Sequence, residues 1–248
     1  MLRKTLRAKL SRAWLQKMLF RPGIWGFLLN PFYLARRALY RVMEELAPEL
    51  DGAILDVGCG TKPYQHLYTR QQSYLGLEVG SPQANHYSAA DVYYSGGSLP
   101  FADCQFDSVV SNQVLEHVFT PEIFLAEIRR VLKPGGKFLV TVPFVWDEHE
   151  QPHDFARYSS FGLKALLERN GFTLLTARKL NADAAIFLQL AAAYWHKVTL
   201  RLPGPLRVLV LQTLVPVLNG LGLLARAVLP ANPDLYLDNV VLARKNEA

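Results

Sequence analysis

Two groups of residues in this 248-residue chain are of types and spacings that can do chemistry. The first is Ile54-Leu55-Asp56-Val57-Gly58-Cys59-Gly60, a short apolar run that ends in two glycines. Glycines after a buried strand let the backbone approach a ligand closely, and free N–H groups beyond the strand favour an anionic or polar group. Taken alone the loop suits a dinucleotide, but Lys62 and Pro63 follow Thr61 where the dinucleotide fingerprint needs its third glycine. About twenty residues on, Glu78 closes Tyr74-Leu75-Gly76-Leu77-Glu78, a strand end where a carboxylate can accept both hydroxyls of a ribose. The second group is His149, His153, Asp154, Arg157 and Tyr158, with His117 upstream: three of the chain's six histidines, one with an Asp beside it.

These residues need a scaffold, and the pattern around them supplies one. Strands are expected at Ala53–Val57, Tyr74–Glu78, His86–Ala90, Phe106–Val110, Lys137–Val142, Phe172–Leu180 and Tyr236–Ala243. Between them, Pro121–Lys133 has helical apolar spacing with Pro121 in the first turn and Pro134-Gly135-Gly136 as its stop. A further helix is capped by Ser159 or Ser160 and ends at Gly171. Such alternation predicts an α/β fold: a Rossmann-like, seven-stranded, mostly parallel sheet with helices on both faces. Ligands then bind at the carboxyl ends of the strands.

Further along, Leu99-Pro100-Phe101, Phe106-Asp107-Ser108-Val109-Val110, Val114-Leu115-Glu116-His117-Val118 and Glu127-Ile128-Arg129-Arg130-Val131-Leu132-Lys133-Pro134-Gly135-Gly136 follow the glycine loop in order. The ordered series, from about Ile54 to Phe172, resembles the class I S-adenosylmethionine (SAM)-dependent methyltransferases of the ubiquinone/menaquinone, type 11 group. The resemblance implies SAM as cofactor. It places Asp56, Gly58 and Gly60, with Cys59 between them, along the methionine end. It gives Glu78, followed by Val79, to the ribose, and Asp91, at the end of the third strand, to the adenine amino group, with Val92 offering its backbone. Asn112 and Gln113 close the site after the fourth strand. Glu78 stands where Asp is commoner in the group, and Leu99 follows Asp91 at a longer distance than usual. A narrower resemblance, carried by Pro63-Tyr64, Val142-Pro143-Phe144, His149, Pro152, Asp154, Arg157-Tyr158 and Gly171-Phe172, is to a subgroup associated with polysaccharide and glycolipid biosynthesis.

On that reading the protein positions an acceptor and, where needed, takes its proton. His149, His153 and His117, with Asp154, are the catalytic candidates, histidine being suited to base work near neutral pH. Arg157 can hold a phosphate or carboxylate of the acceptor, with Tyr158 and Trp146 beside it; alternatively Asp154 and Arg157 form a structural ion pair and Tyr158 only packs. No metal site is expected, because the histidines lack the helical HxxxH arrangement.

Charge and hydropathy point to the setting. The net charge is +6, but residues 1–43 hold ten Lys/Arg and no acid, leaving −4 for the rest (17 basic, 21 acidic). Such asymmetry points to an anionic surface, nucleic acid or membrane. Leu2, Leu6, Leu10, Trp14 and Met18 recur every fourth residue, and a second helix is expected at about Phe32–Leu46. A basic face opposite Trp and Leu suits a helix lying in the membrane interface; the alternative is a helix packed on the domain. Residues 1–47 are expected as a basic helical arm and 48–248 as the catalytic domain, with an apolar helical insertion at about 182–232. Within it Ala184–Trp195 and Leu206–Leu229 are apolar, and Val208–Ala225 is 18 uncharged residues interrupted by Gln212, Pro216, Asn219, Gly220 and Gly222. The insertion reads as a shallow hairpin dipping into one leaflet or covering the active site, or as a buried pair or homodimer interface. Cys59 and Cys104 alone exclude a disulfide framework, and no signal peptide is recognisable, so a cytoplasmic, peripherally membrane-associated enzyme is expected. The favoured acceptor is a small molecule, lipid or lipid-linked glycan accepting on a hydroxyl. Nucleic acid is disfavoured because the arm's aromatics cluster with aliphatics rather than arginines; an RNA methyltransferase and a non-catalytic SAM-binding subunit remain the alternatives.

Overall fold

The computed structural model describes residues 14–81 and 88–247. In chain order the elements are helix α1 (residues 14–20), α2 (Ile24–Leu29), α3 (Tyr33–Leu46), β1 (Asp51–Val57), β2 (Arg70–Val79), β3 (Val92–Tyr94), β4 (Phe106–Asn112), α4 (Pro121–Val131), β5 (Leu132–Pro143), α5 (Ser160–Arg169), β6 (Phe172–Leu180), α6 (Ala185–Thr199), α7 (Gly204–Val228) and β7 (Asp238–Lys245). They divide between two compact units. One comprises Val42–Lys179 with β7; the other comprises the described residues up to Arg41 with Leu180–Leu237.

The larger unit is built on a seven-stranded sheet of order β3-β2-β1-β4-β5-β7-β6. β1 pairs in parallel with β2 and β4, β2 with β3, and β4 with β5; β7 runs antiparallel to β5. Consecutive residues Ile54, Leu55, Asp56 and Val57 of β1 are all buried. That is the signature of a parallel strand covered on both faces, and it explains why the strand reads as a continuous apolar run instead of an alternating one. Helix α4 contributes Phe124, Leu125, Ile128 and Val131 to the core, and α5 contributes Leu163, Leu166 and Leu167. The Ser159 hydroxyl caps α5 by accepting from the Gly162 amide, and Gly171 takes the left-handed conformation beyond its end.

Three expectations change. β3 lies at Val92–Tyr94, not at His86–Ala90. Residues 86 and 87 are outside the described residues, and 88–90 are not extended into the sheet: the Ala89 amide and the Ser88 hydroxyl donate to the Gly60 carbonyl instead. The β-branched and aromatic Val92-Tyr93-Tyr94 outcompetes the small residues before it for the pleated position. Helix α4 stops at Val131 rather than Lys133, because Pro134 disfavours α conformation in the residue before it, and Leu132 already turns extended. β7 starts at Asp238, two residues later than expected. The expected amphipathic helix over residues 2–18 lies outside the described residues except for residues 14–18, which are helical.

The smaller unit is helical. Tyr33, Leu34 and Ala185 form its core, with Phe27, Leu188 and Leu223 packed against them. A Cβ at Gly222 would lie 2.4 Å from Leu34, so α7 approaches α3 closely at that point. Buried amide side chains tie the helices together. Asn219 donates to the carbonyls of Phe27 and Asn30, and Gln189 donates to Pro31 and accepts from the Ala35 amide. Arg226 pairs with Asp183 at 2.8 Å. The apolar insertion is thus the helix pair α6–α7. α7 is 25 residues long and apolar enough to cross a membrane, yet only Val215, Asn219 and Gly222 of it are buried.

Candidate functional site

The glycine loop follows β1 directly. Gly58 and Gly60 both have positive φ, +74° and +48°, which glycine adopts without the steric cost other residues meet. The amides of Gly58 and Cys59 donate to the Leu77 carbonyl, folding the loop over β2. Glu78, at the carboxyl end of β2, accepts from the Gly60 amide at 2.9 Å with one oxygen and from the Val79 amide with the other. The two glycines differ in surroundings: a Cβ at Gly58 would sit 2.3 Å from Val114, whereas one at Gly60 would meet nothing within 4 Å.

Beneath the loop, Asp56 is buried. The Tyr74 hydroxyl donates to its Oδ2, while Oδ1 is buried with no hydrogen-bond partner. Burial pushes this carboxyl up to about 7, and the neighbouring Glu78 adds to the rise; the Tyr74 hydrogen bond and Lys62 oppose it. Burial likewise pushes the Cys59 thiol up to about 12, so it is a small packed side chain and not a nucleophile. A buried carboxylate with a free oxygen, beside an open glycine cradle, is a place for a cationic ligand group.

Asp91 stands before β3 and not at its carboxyl end. Its Oδ2 accepts from Lys62 and from the Gly76 amide at 2.7 Å. Burial raises this carboxyl, but those two donors more than offset it and hold it below its usual range. The residue that follows β3 at the carboxyl edge is Ser95. At the end of β4, Thr141 of β5 gathers Asn112 and Gln113: its hydroxyl lies within hydrogen-bond reach of Asn112 Oδ1 and accepts from the Gln113 amide and side chain. Gln113 has φ +56°, the sharp turn that ends the strand.

The second group assembles from two loops, the short turn Leu115–His117 after β4 and the segment after β5. His117 and His149 meet edge to face with ring centroids 4.8 Å apart. Between them lies Glu116, whose carboxylate is fully buried with neither oxygen hydrogen-bonded. Burial pushes it up to about 8, helped by Asp238 and Asp154 and opposed by Arg157 and its own backbone amide. Asp154 accepts from the His149 amide and binds Arg157 through both oxygens, at 2.6 and 2.7 Å. The Arg157 hydrogen bonds outweigh burial and hold Asp154 well below the usual carboxylate range. Both terminal nitrogens of Arg157 are engaged inside the loop, by Asp154 and by the carbonyls of Asp147 and Ala156. Tyr158 packs half-buried against the core. Trp146 is part-buried just past the end of β5. His153 contributes its carbonyl, which accepts from His117 Nδ1 at 2.7 Å, while its ring turns toward Phe155. Phe119 and Phe155 stack edge to face, and both are exposed.

Residues 55–140 match the family described as a methyltransferase domain. Over that stretch the chain is similar to methyltransferases. A malonyl-[acyl-carrier protein] O-methyltransferase from Erwinia pyrifoliae is 33% identical over 112 residues, 43% of each chain. A fatty-acid O-methyltransferase from Mycolicibacterium smegmatis is 36% identical over 99 residues, 36% of each. The chain therefore spans less than half the length of these relatives. A solved S-adenosylmethionine-dependent methyltransferase from Mesorhizobium loti shares the fold, with TM-score 0.53 at 16% identity over 86% of this chain and all of that one.

The structure brings Asp56, Gly58, Cys59, Gly60 and Glu78 into one loop-and-strand-end constellation. His117, His149 and Asp154 form another, with Arg157 holding Asp154. Three participants went unassigned in the sequence: Tyr74 and Lys62, which bond to Asp56 and Asp91, and Glu116. The only sequence signal for Glu116 was an acid beside His117; nothing in the pattern announced that it is buried.

Proposed function

We propose that this chain is a SAM-dependent O-methyltransferase whose acceptor is a lipid or lipid-linked glycan met at the cytosolic membrane surface. The residues fit the cofactor. The open cradle at Gly60 admits a ligand against the backbone, the unpartnered oxygen of Asp56 suits the ammonium of its methionine end, and Glu78 suits the ribose hydroxyls. When bound, SAM supplies an electrophilic methyl group. What this chain adds is placement: Asn112 and Gln113 are pinned by Thr141 at the end of β4, and the paired rings of His117 and His149 are given to the acceptor side in this reading.

The amphiphilic acceptor is carried by one observation. Helix α7 is long and apolar, almost none of it is buried, and Leu209, Val217, Leu221, Leu224 and Val228 are exposed along it. Soluble chains rarely expose apolar surface on that scale without something to cover it. Between Asp183 and Asp234 the sequence has no acidic residue, and Lys197, Arg201 and Arg207 supply positive charge for an anionic surface. The named relatives that methylate fatty acids and acyl-carrier substrates support an acyl-bearing acceptor.

The test is transfer of labelled methyl from SAM by the purified protein, with membrane lipid extract and with total RNA as separate acceptors. Label in the organic or glycolipid fraction is expected. Label in RNA alone overturns the acceptor assignment, and SAM binding without transfer to either overturns the enzymatic one.

A further inference from the structure

We propose that Glu116, His117 and His149 form a binding site for a divalent first-row transition metal of the zinc type. The inference rests on the preceding reading only in giving these histidines to the acceptor side; the metal site itself stands on local geometry.

Each imidazole has one nitrogen whose role is fixed by its partner. His117 Nδ1 lies 2.7 Å from the His153 carbonyl oxygen. His149 Nδ1 lies 3.2 Å from the Asp147 carbonyl oxygen and 3.3 Å from Asp154 Oδ2. Carbonyls and carboxylates only accept, so both Nδ1 atoms carry the proton and both Nε2 atoms present a lone pair. Those lone pairs converge on the same oxygen: Glu116 Oε1 is 3.8 Å from His117 Nε2 and 3.9 Å from His149 Nε2. One ligand atom from each of the three residues lies within 4.8 Å of the other two.

With Glu116 ionised, three acceptors face one point without a donor, an arrangement that a cation among them relieves. A proton on Glu116 removes its charge but does not bridge it to either ring, since separations of 3.8 and 3.9 Å are too long for a hydrogen bond. Two bonds of about 2.0–2.2 Å each to a shared metal do span such gaps. The environment agrees. Glu116 is wholly buried and neither oxygen has a hydrogen-bond partner, a costly state for a carboxylate in an otherwise satisfied interior. The outer partners are those that orient metal-bound histidines: a backbone carbonyl behind one ring, and a carbonyl and carboxylate behind the other. Two imidazoles with one carboxylate favour zinc-type ions over magnesium, which prefers all-oxygen shells.

Three protein ligands leave a position open. Glu116 forms the buried floor, while the side chains of His117 and His149 are 17% and 29% exposed, so the open side is the one the rings line. An oxygen of the acceptor, a hydroxyl or carboxylate, fits that position, and a bound metal there would hold it and polarise it.

The test uses the full chain, stripped with chelator and titrated with Co2+ followed by its visible absorption, and with Zn2+ by calorimetry. One equivalent is expected, with the absorption of a low-coordinate nitrogen–oxygen site. His149→Ala and Glu116→Gln should each weaken Zn2+ binding by about 100-fold or more, and Asp154→Asn by about 10-fold, as expected for a ligand and for an outer partner. Circular dichroism establishes that each variant is folded; should Glu116→Gln fail to fold, the partly exposed His149 carries the comparison. Absence of stoichiometric binding to the wild type, or binding unchanged in a folded His149→Ala, overturns the proposal. Metal titration reads no methyl transfer, so a failure here and a failure of the methyltransferase reading are told apart.

Discussion

The two loop glycines make a discriminating pair, because one is confined by the protein and the other faces open space. In Gly58→Ala the new Cβ enters at φ +74°, a left-handed conformation costing about 1–2 kcal/mol for a residue with a side chain. It also lands 2.3 Å from Cγ2 of Val114, an overpacking that costs about 1–3 kcal/mol more. The sum is a loss of about 2–5 kcal/mol of folding stability. Gly60→Ala meets the backbone cost alone, about 1–2 kcal/mol, since nothing lies within 4 Å of its Cβ. What it loses is the close approach of a ligand, and SAM affinity should fall at least about tenfold, equivalent to about 1.4 kcal/mol. Denaturant unfolding of both variants, repeated in a Val114→Ala background, separates the contributions. Val114→Ala should recover the steric part in Gly58→Ala and act additively with Gly60→Ala. If Gly60→Ala binds SAM as the wild type does, the loop is not the cofactor cradle; if Val114→Ala rescues nothing, the steric reasoning fails.

Asp56 gives a pH signature. Its folded value is raised from 3.8 to about 7, so its neutral form is the stable one: the contribution is fully present below about pH 4 and is lost as pH rises through 7. The whole effect is at most about 4 kcal/mol. The Tm advantage of Asp56→Asn over wild type should therefore grow from pH 5 to pH 8, and parallel Tm curves would contradict the assignment. SAM binding, which wants the carboxylate, should weaken in the wild type below about pH 7 but not in Asp56→Asn; calorimetry at pH 6 and 8 tests it. Asn219→Leu leaves the Phe27 and Asn30 carbonyls unpaired and should cost about 1–3 kcal/mol in thermal or denaturant unfolding. Replacing exposed Leu209 and Leu224 with Glu should reduce sedimentation with anionic vesicles while leaving Tm within a few degrees; unchanged pelleting would remove α7 from the membrane account.

The sheet was legible because its central strands are continuous apolar runs punctuated by glycine, which burial on both faces imposes. β3 was not, since it is only three residues long and the small residues before it look equally plausible as an edge strand. The glycine loop and Glu78 are separated in sequence by a fixed strand–loop–strand geometry, so their meeting could be anticipated. The histidine cluster could be anticipated only in part. His117 and His149 come from loops after adjacent strands, but which histidine turns its ring inward depends on carbonyls that no pattern reveals. His153 turned outward and lent its backbone instead. Arg157 could be read either as a grip on an acceptor or as the ion-pair partner of Asp154, and only the structure shows Asp154 binding its two terminal nitrogens through both oxygens. Glu116 escaped because a sequence shows residue types and not burial.

The placement of β7 governs the order in which the protein can be completed. β6 reaches the sheet only through β7, which is slotted between β5 and β6 and is the last strand to be made. During synthesis, β5 is therefore an open edge, and β6 has no strand to pair with, until the whole apolar α6–α7 segment has already emerged. Those exposed strand edges and that uncovered apolar helix pair coexist in the nascent chain, a combination prone to aggregation. Expression should thus depend strongly on the residues of β7. Removing Asp238–Lys245 would orphan β6 as well as the strand deleted, giving insoluble protein where trimming an ordinary edge strand would give only a weakened one.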